Sequence, residues 1–104
     1  MRKLEQKVSV ITGAGSGMGK AIARLFAAEG SKVVATDING ERLESLEKEI
    51  RMAGGEITTL VANMANEADI EKMIQLAVTT YGTLDTLVNN AGIMDHMQPV
   101  AEVE

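Results

Sequence analysis

The 104-residue sequence has no cysteine and no tryptophan, one proline, one histidine and only two aromatic residues, Phe26 and Tyr81. Without cysteine there is no disulfide framework, no thiolate metal site and no thiol nucleophile. With so few aromatics, the core has to be built from Ala, Val, Ile, Leu and seven Met. No apolar run approaches the length that crosses a bilayer. The opening Met1-Arg2-Lys3-Leu4-Glu5-Gln6-Lys7 lacks the apolar stretch of a secretory leader. A cytoplasmic location is therefore the default expectation. Basic charge is in deficit too: 10 Lys and Arg against 15 Asp and Glu leave a net charge of −5. That argues against nucleic acid or an anionic membrane as the main partner. No cluster with metal-ligand spacing stands out.

What is present is an alternation of short β-rich runs with helical stretches, at a length that suits one domain, 1–104. Val8 to Ile11 reads as a buried strand. Gly17 to Glu29 reads as a helix, with Met18, Ala21, Ile22, Leu25 and Phe26 as its apolar stripe. Gly30 suits the left-handed residue that closes such a helix. Lys32 to Thr36 is a second strand. Glu41 to Ala53 is a second helix carrying Leu43, Leu46, Ile50 and Ala53 on one face, and Gly54-Gly55 stops it. Ile57 to Val61 is a third strand. Asn66 reads as an N-cap, with Asp69 in a capping-box position. Ile70, Met73, Ile74, Ala77 and Tyr81 form the stripe of a third helix, which Gly82 closes. Leu84 to Val88 is a fourth strand. The order βαβαβαβ predicts an α/β fold, a doubly wound parallel sheet of strand order 3-2-1-4. Ligands of such sheets sit beyond the C-terminal strand ends where the winding reverses. Here those ends carry the loops Thr12–Gly19 and Asn89–Met94.

The first loop is Thr12-Gly13-Ala14-Gly15-Ser16-Gly17-Met18-Gly19. A chain that leaves a strand sharply and brings its N–H groups up to a pyrophosphate needs residues without side chains there. The helix that follows adds the positive end of its dipole. The pattern is not G-x-G-x-x-G, which would need glycine at Met18 or at Lys20; it is T-G-x-x-x-G-x-G. Asp37 ends the second strand, 18 residues after Gly19. A carboxylate at that place accepts from both hydroxyls of an adenosine ribose and repels a 2′-phosphate, which favours NAD over NADP. The competing reading of Asp37 is a turn residue before Asn39-Gly40. No arginine occupies positions 38 to 40, and Arg42 is the nearest.

The second loop is Asn89-Asn90-Ala91-Gly92. TGAGSGMG at 12–19, Asp37 and NNAG at 89–92 together resemble the short-chain dehydrogenase/reductase family of the classical type, over essentially the whole chain. The resemblance implies the N-terminal, NAD-binding half of a Rossmann fold. It implies that Gly13, Gly17 and Gly19 line the pyrophosphate, and that Ser16 and Met18 contact phosphate and ribose. Asp37 then binds the adenine ribose and Ile38 flanks the adenine. Asn63 and Met64 lie beside the adenine edge. Asn89 ties the fourth strand to its neighbours, and Ala91 and Gly92 border the cofactor ribose. The family usually has aspartate where Asn63 stands; an amide oxygen there still accepts a hydrogen bond, without the charge.

The resemblance further implies an oxidoreductase that moves hydride between NAD(H) and an alcohol–ketone pair, and a homo-oligomer. The family's catalytic serine and Tyr-x-x-x-Lys pair have no counterpart here. The sole tyrosine, Tyr81, is followed four residues later by Asp85 and continues an apolar stripe. The chain alone is therefore expected to be inactive and truncated, with Glu102-Val103-Glu104 as the start of a helix. His96 reads as a surface loop residue. Truncation would leave the fourth strand as an unpaired apolar edge, a feature that invites self-association. The alternative is a non-enzymatic nucleotide-binding module complete at 104 residues. A flavodoxin-like phosphate binder is a weaker third reading, because it leaves NNAG unexplained.

Overall fold

The computed structural model describes residues 4–90 and the backbone of a last strand at 102–103. Its elements are β1 (Val8–Thr12), α1 (Gly17–Ala28), β2 (Lys32–Asp37), α2 (Gly40–Met52), β3 (Glu56–Val61), α3 (Glu67–Tyr81), β4 (Thr86–Asn89) and β5 (Glu102–Val103). The sheet order is β3-β2-β1-β4-β5, with the first four strands parallel. The doubly wound 3-2-1-4 arrangement is thus present, with strand and helix ends within two residues of the sequence reading.

Alternation along the strands divides the core. Val8, Val10 and Val34 face α3, where Met73 and Ala77 cover them. Ile11, Val33, Ala35 and Ile57 face the other way, under α1 and α2. Leu43, Leu46 and Ile50 are the buried face of α2, each contributing about 1.5–3 kcal/mol by leaving water. Glu41 in the first turn and Arg51 in the last complement the α2 dipole.

Three details differ from the sequence reading. The buried face of α1 is Gly19, Ala23 and Ala27. Ile22 and Phe26 only flank the core, while Met18 and Leu25 are exposed. The stripe is rotated because small residues let the helix axis approach the sheet closely, and larger ones would hold it away. At α3, Asn66 does cap the helix, accepting from the N–H groups of Ala68 and Asp69. Asp69 does not complete a capping box, however. Its Oδ2 accepts from Asn63 N–H at 2.9 Å, which pins the loop after β3.

The third difference is β5. Glu102–Val103 is a strand, not the start of a helix. It pairs antiparallel with β4, Leu87 opposite Val103 and Val88 opposite Glu102. The outer edge of β4 is therefore covered at those two residues, because backbone groups there find partners within the chain. The edge argument for self-association loses its basis at that strand. His96 lies outside the described residues.

Candidate functional site

The parallel register sets the site. Thr12 lies opposite Thr36 on one side and Asn89 on the other, so β1, β2 and β4 end level with one another. The turn after β1, the end of β2 and the end of β4 are thereby brought together. Thr12 Oγ1 donates to Asn89 Oδ1 at 3.1 Å, and Asn90 Nδ2 donates to the carbonyl oxygen of Gly13 at 3.3 Å. These two bonds tie β4 to the glycine turn from both ends of the Asn89-Asn90 doublet.

Within the turn, Gly13 has φ +63° and Gly17 has φ +51°, backbone that L side chains rarely adopt. Gly19 is needed for another reason. A Cβ there would run into the carbonyl oxygen of Gly13 and stand 2.8 Å from Asn90 Nδ2. The first turn of α1 packs directly on the turn that precedes it.

The N-terminus of α1 differs chemically from the other two helix starts. Asn39 and Asn66 cap α2 and α3 with their side chains, and acidic residues follow in both first turns. Ser16 at the start of α1 makes no side-chain cap bond, and no acid follows it. The first N–H groups of a helix without such partners are available to an anion.

Asp37 is half-buried at the end of β2. Its Oδ2 accepts from Gly15 N–H at 2.9 Å and its Oδ1 from Asn39 N–H at 2.9 Å. Hydrogen bonds to an ionised acceptor are strong, so the carboxylate is held in place. Each of its oxygens keeps lone-pair capacity for another donor. A carboxylate fixed beside a glycine turn and an uncapped helix start fits a ligand with a diphosphate and a ribose.

The remaining residues singled out from the sequence are distributed as follows. Ser16, Met18, Ile38 and Asn63 are exposed around the same end of the sheet. Asn63 Oδ1 is already engaged, accepting from Ala65 N–H at 2.9 Å. Met64 is half-buried against the α3-side core. Ala91 and Gly92 lie outside the described residues. Gly15, Asn39, Asn90 and Thr12 hold the site residues in place, and were not singled out. The doublet Asn89-Asn90 and the Asp37-Ile38-Asn39 turn were the available signals.

Tyr81 is not part of this cluster. Its hydroxyl shares a hydrogen bond of 2.9 Å with Thr58, and Lys32 Nζ lies 5.9 Å from its ring centre. Burial pushes its phenol above the ordinary value, against the Thr58 hydrogen bond. A cleft of about 320 Å³ between α1 and α2, around Ala27, Ile50 and Gly54, shares no residue with the cluster. Among the described residues no group of three or more His, Cys, Asp or Glu could hold a metal ion. No helix among them is long and apolar enough to cross a membrane.

Fold and site together define a doubly wound parallel sheet with the glycine turn, Asp37 and Asn89 gathered at its C-terminal strand ends. The family model described as short chain dehydrogenase matches residues 7–104, and the chain belongs to that family. It is 40% identical over 101 residues to a 3beta-hydroxysteroid dehydrogenase 2 of Eggerthella lenta, covering 97% of this chain and 39% of that protein. It is 47% identical over 91 residues to a 3-oxoacyl-[acyl-carrier-protein] reductase of Thermotoga maritima, covering 88% and 37%. A solved short chain dehydrogenase from Mycobacterium avium superposes with a TM-score of 0.85 at 42% identity, over 91% of this chain and 36% of that one. The chain thus spans less than half the length of the relatives it matches.

Proposed function

We propose that this chain is the NAD-binding part of an oxidoreductase that moves hydride between a nicotinamide cofactor and an alcohol–ketone pair. The observation that carries the reading is the Asp37 carboxylate, held at 2.9 Å from Gly15 N–H at the mouth of the glycine turn. In this reading Gly13, Gly17 and Gly19 leave room for the diphosphate, and Ser16 and Met18 contribute first-turn amides of α1. Asp37 accepts from the ribose hydroxyls, and its charge opposes a 2′-phosphate. Ile38, Asn63 and Met64 flank the adenine, with Asn63 contributing the free lone pair of its amide oxygen. Asn89 ties β4 to β1 by accepting from Thr12 Oγ1, and Ala91 and Gly92 border the cofactor ribose. When bound, the cofactor supplies or receives the hydride; the residues here bind and orient it.

The two relatives are named for a hydroxysteroid and a 3-oxoacyl group, both members of alcohol–ketone pairs, which supports that substrate class. These 104 residues contain no Tyr-x-x-x-Lys pair. The chain by itself is therefore proposed to shape the cofactor pocket without turning over substrate. A cytoplasmic homo-oligomer completes the reading, supported by the family resemblance. The test is incubation of the intact protein with NAD and a panel of secondary alcohols, followed at the absorbance of reduced nicotinamide. Reduction by at least one alcohol is expected. NAD binding without reduction by any alcohol, and without NADH oxidation by the matching ketones, would favour the non-enzymatic module.

A further inference from the structure

The loop after β3 starts against the backbone of the acid. Val61, the last residue of β3, is the register partner of Asp37. Ala62 N–H donates to the Asp37 carbonyl oxygen at 3.0 Å. Asn63 is the next residue, and it is exposed. A base carried by a ribose on Asp37 therefore has this loop as its neighbour on the β3 side.

Most polar groups of the loop are spent on its own shape. Asn63 N–H donates to Asp69 Oδ2 at 2.9 Å, and the Asn63 carbonyl oxygen accepts from Asn66 N–H at 2.9 Å. The side-chain Oδ1 accepts from Ala65 N–H at 2.9 Å. This is an Asx turn, and it assigns the oxygen end of the amide to the loop backbone. Asn63 Nδ2 has no protein partner among the described residues. Oδ1 keeps a second lone pair. The side chain thus holds both a free donor and a free acceptor, and no charge.

We infer that the base subsite at Asn63 takes a 6-oxopurine as well as a 6-aminopurine, so that the ligands of this site include a dinucleotide with hypoxanthine in place of adenine. The inference rests on the nicotinamide-cofactor reading above and deepens it. An amino group at C6 donates, and the spare lone pair of Oδ1 receives it. An oxo group at C6 accepts, and Nδ2 supplies its donor. A polar group left unpaired on binding would cost its full desolvation, and the amide leaves neither base edge in that state. A carboxylate of the same shape is acceptor-only. It would serve the amino group alone and repel the oxo group.

The experiment is isothermal titration of NAD and of nicotinamide hypoxanthine dinucleotide into the intact protein and into N63D and N63A. In the unaltered protein the hypoxanthine dinucleotide is expected to bind no more than about threefold more weakly than NAD, since one neutral hydrogen bond replaces another. N63D keeps an oxygen for Ala65 N–H and loses the donor. It is expected to shift the ratio of the two affinities toward NAD by at least about threefold. N63A is expected to weaken the hypoxanthine dinucleotide by about threefold or more. An unaltered protein that favours NAD by more than threefold would overturn the inference, and so would a smaller shift in N63D. Should N63D not fold, unchanged affinity of N63A for the hypoxanthine dinucleotide would overturn it. If the unaltered protein bound neither dinucleotide, the cofactor reading would fall and this inference with it. Retained NAD binding separates that outcome from the others.

Discussion

The backbone N–H of Gly15 donates to Oδ2 of Asp37 at 2.9 Å, joining the turn after β1 to the last residue of β2. Asn39 N–H holds the other oxygen at the same distance. The acid is thus oriented by two amides before any ligand arrives, so little ordering remains to be done on binding. Asp37→Ala removes the acceptor and its charge. Loss of a hydrogen bond to a charged group costs about 1.5–3 kcal/mol, so NAD is expected to bind about tenfold to a hundredfold more weakly. Titration calorimetry on the intact protein reads this directly, and unchanged affinity would remove Asp37 from the site.

Gly19→Ala tests the close approach of α1 to the turn. The added Cβ meets the Gly13 carbonyl, which belongs to the backbone and cannot swing aside as a side chain would. Forced overpacking of this kind costs about 1–3 kcal/mol. A thermal melt should show the loss, and cofactor affinity should fall with it because Gly13 is displaced. A variant as stable as its parent would show that α1 can move away freely.

Asn66→Ala separates fold from site. The side chain accepts two N–H groups at the start of α3, and removing such a cap costs about 1 kcal/mol. Urea unfolding should report that loss while the affinity for NAD stays as it was. A large drop in affinity would mean that the loop holding Asn63 depends on this cap more than its separate bond to Asp69 implies.

Tyr81 gives a pH dependence with a defined sign. Burial raises its phenol above the ordinary 10.0, with Glu56 adding to the rise and the Thr58 bond and Arg51 opposing it. The folded state therefore binds the phenolic proton more tightly than the unfolded chain does. The stability this provides is complete below pH 10 and is lost as the pH climbs through the folded-state value. Denaturation curves of Tyr81→Phe should lack this alkaline decline. Parallel declines in both proteins would assign it to other groups.

The strand order and the site's two loops were legible because glycines, aliphatic runs and helix caps act locally. Asn66 and Gly82 mark the ends of α3 by their own chemistry, and the structure uses both as caps. The face of α1 was not legible in the same way. Met18 and Leu25 satisfy helical periodicity, but Gly19, Ala23 and Ala27 are what the sheet accepts, and that choice depends on packing distance. Asp69 shows the same limit, since its partner is Asn63 across a loop and not the cap residue three positions back. The antiparallel Glu102–Val103 strand depends on an edge formed by β4, which no local pattern at 102–104 encodes. Asp37 ends β2, as its place in the sequence implies; the Asn39 amide that orients it is local, whereas the Gly15 amide reaches it only through the pairing of β1 with β2.

The Gly13–Gly19 turn and Asp37 are proposed to bind a nicotinamide dinucleotide with an unphosphorylated adenosine ribose. Paired calorimetric titrations of NAD and NADP into the intact, unaltered protein address it most directly. NAD is expected to bind at least about tenfold more tightly, the discrimination expected of one charged hydrogen-bonding group. Equal binding of the two, or tighter binding of NADP, would contradict it.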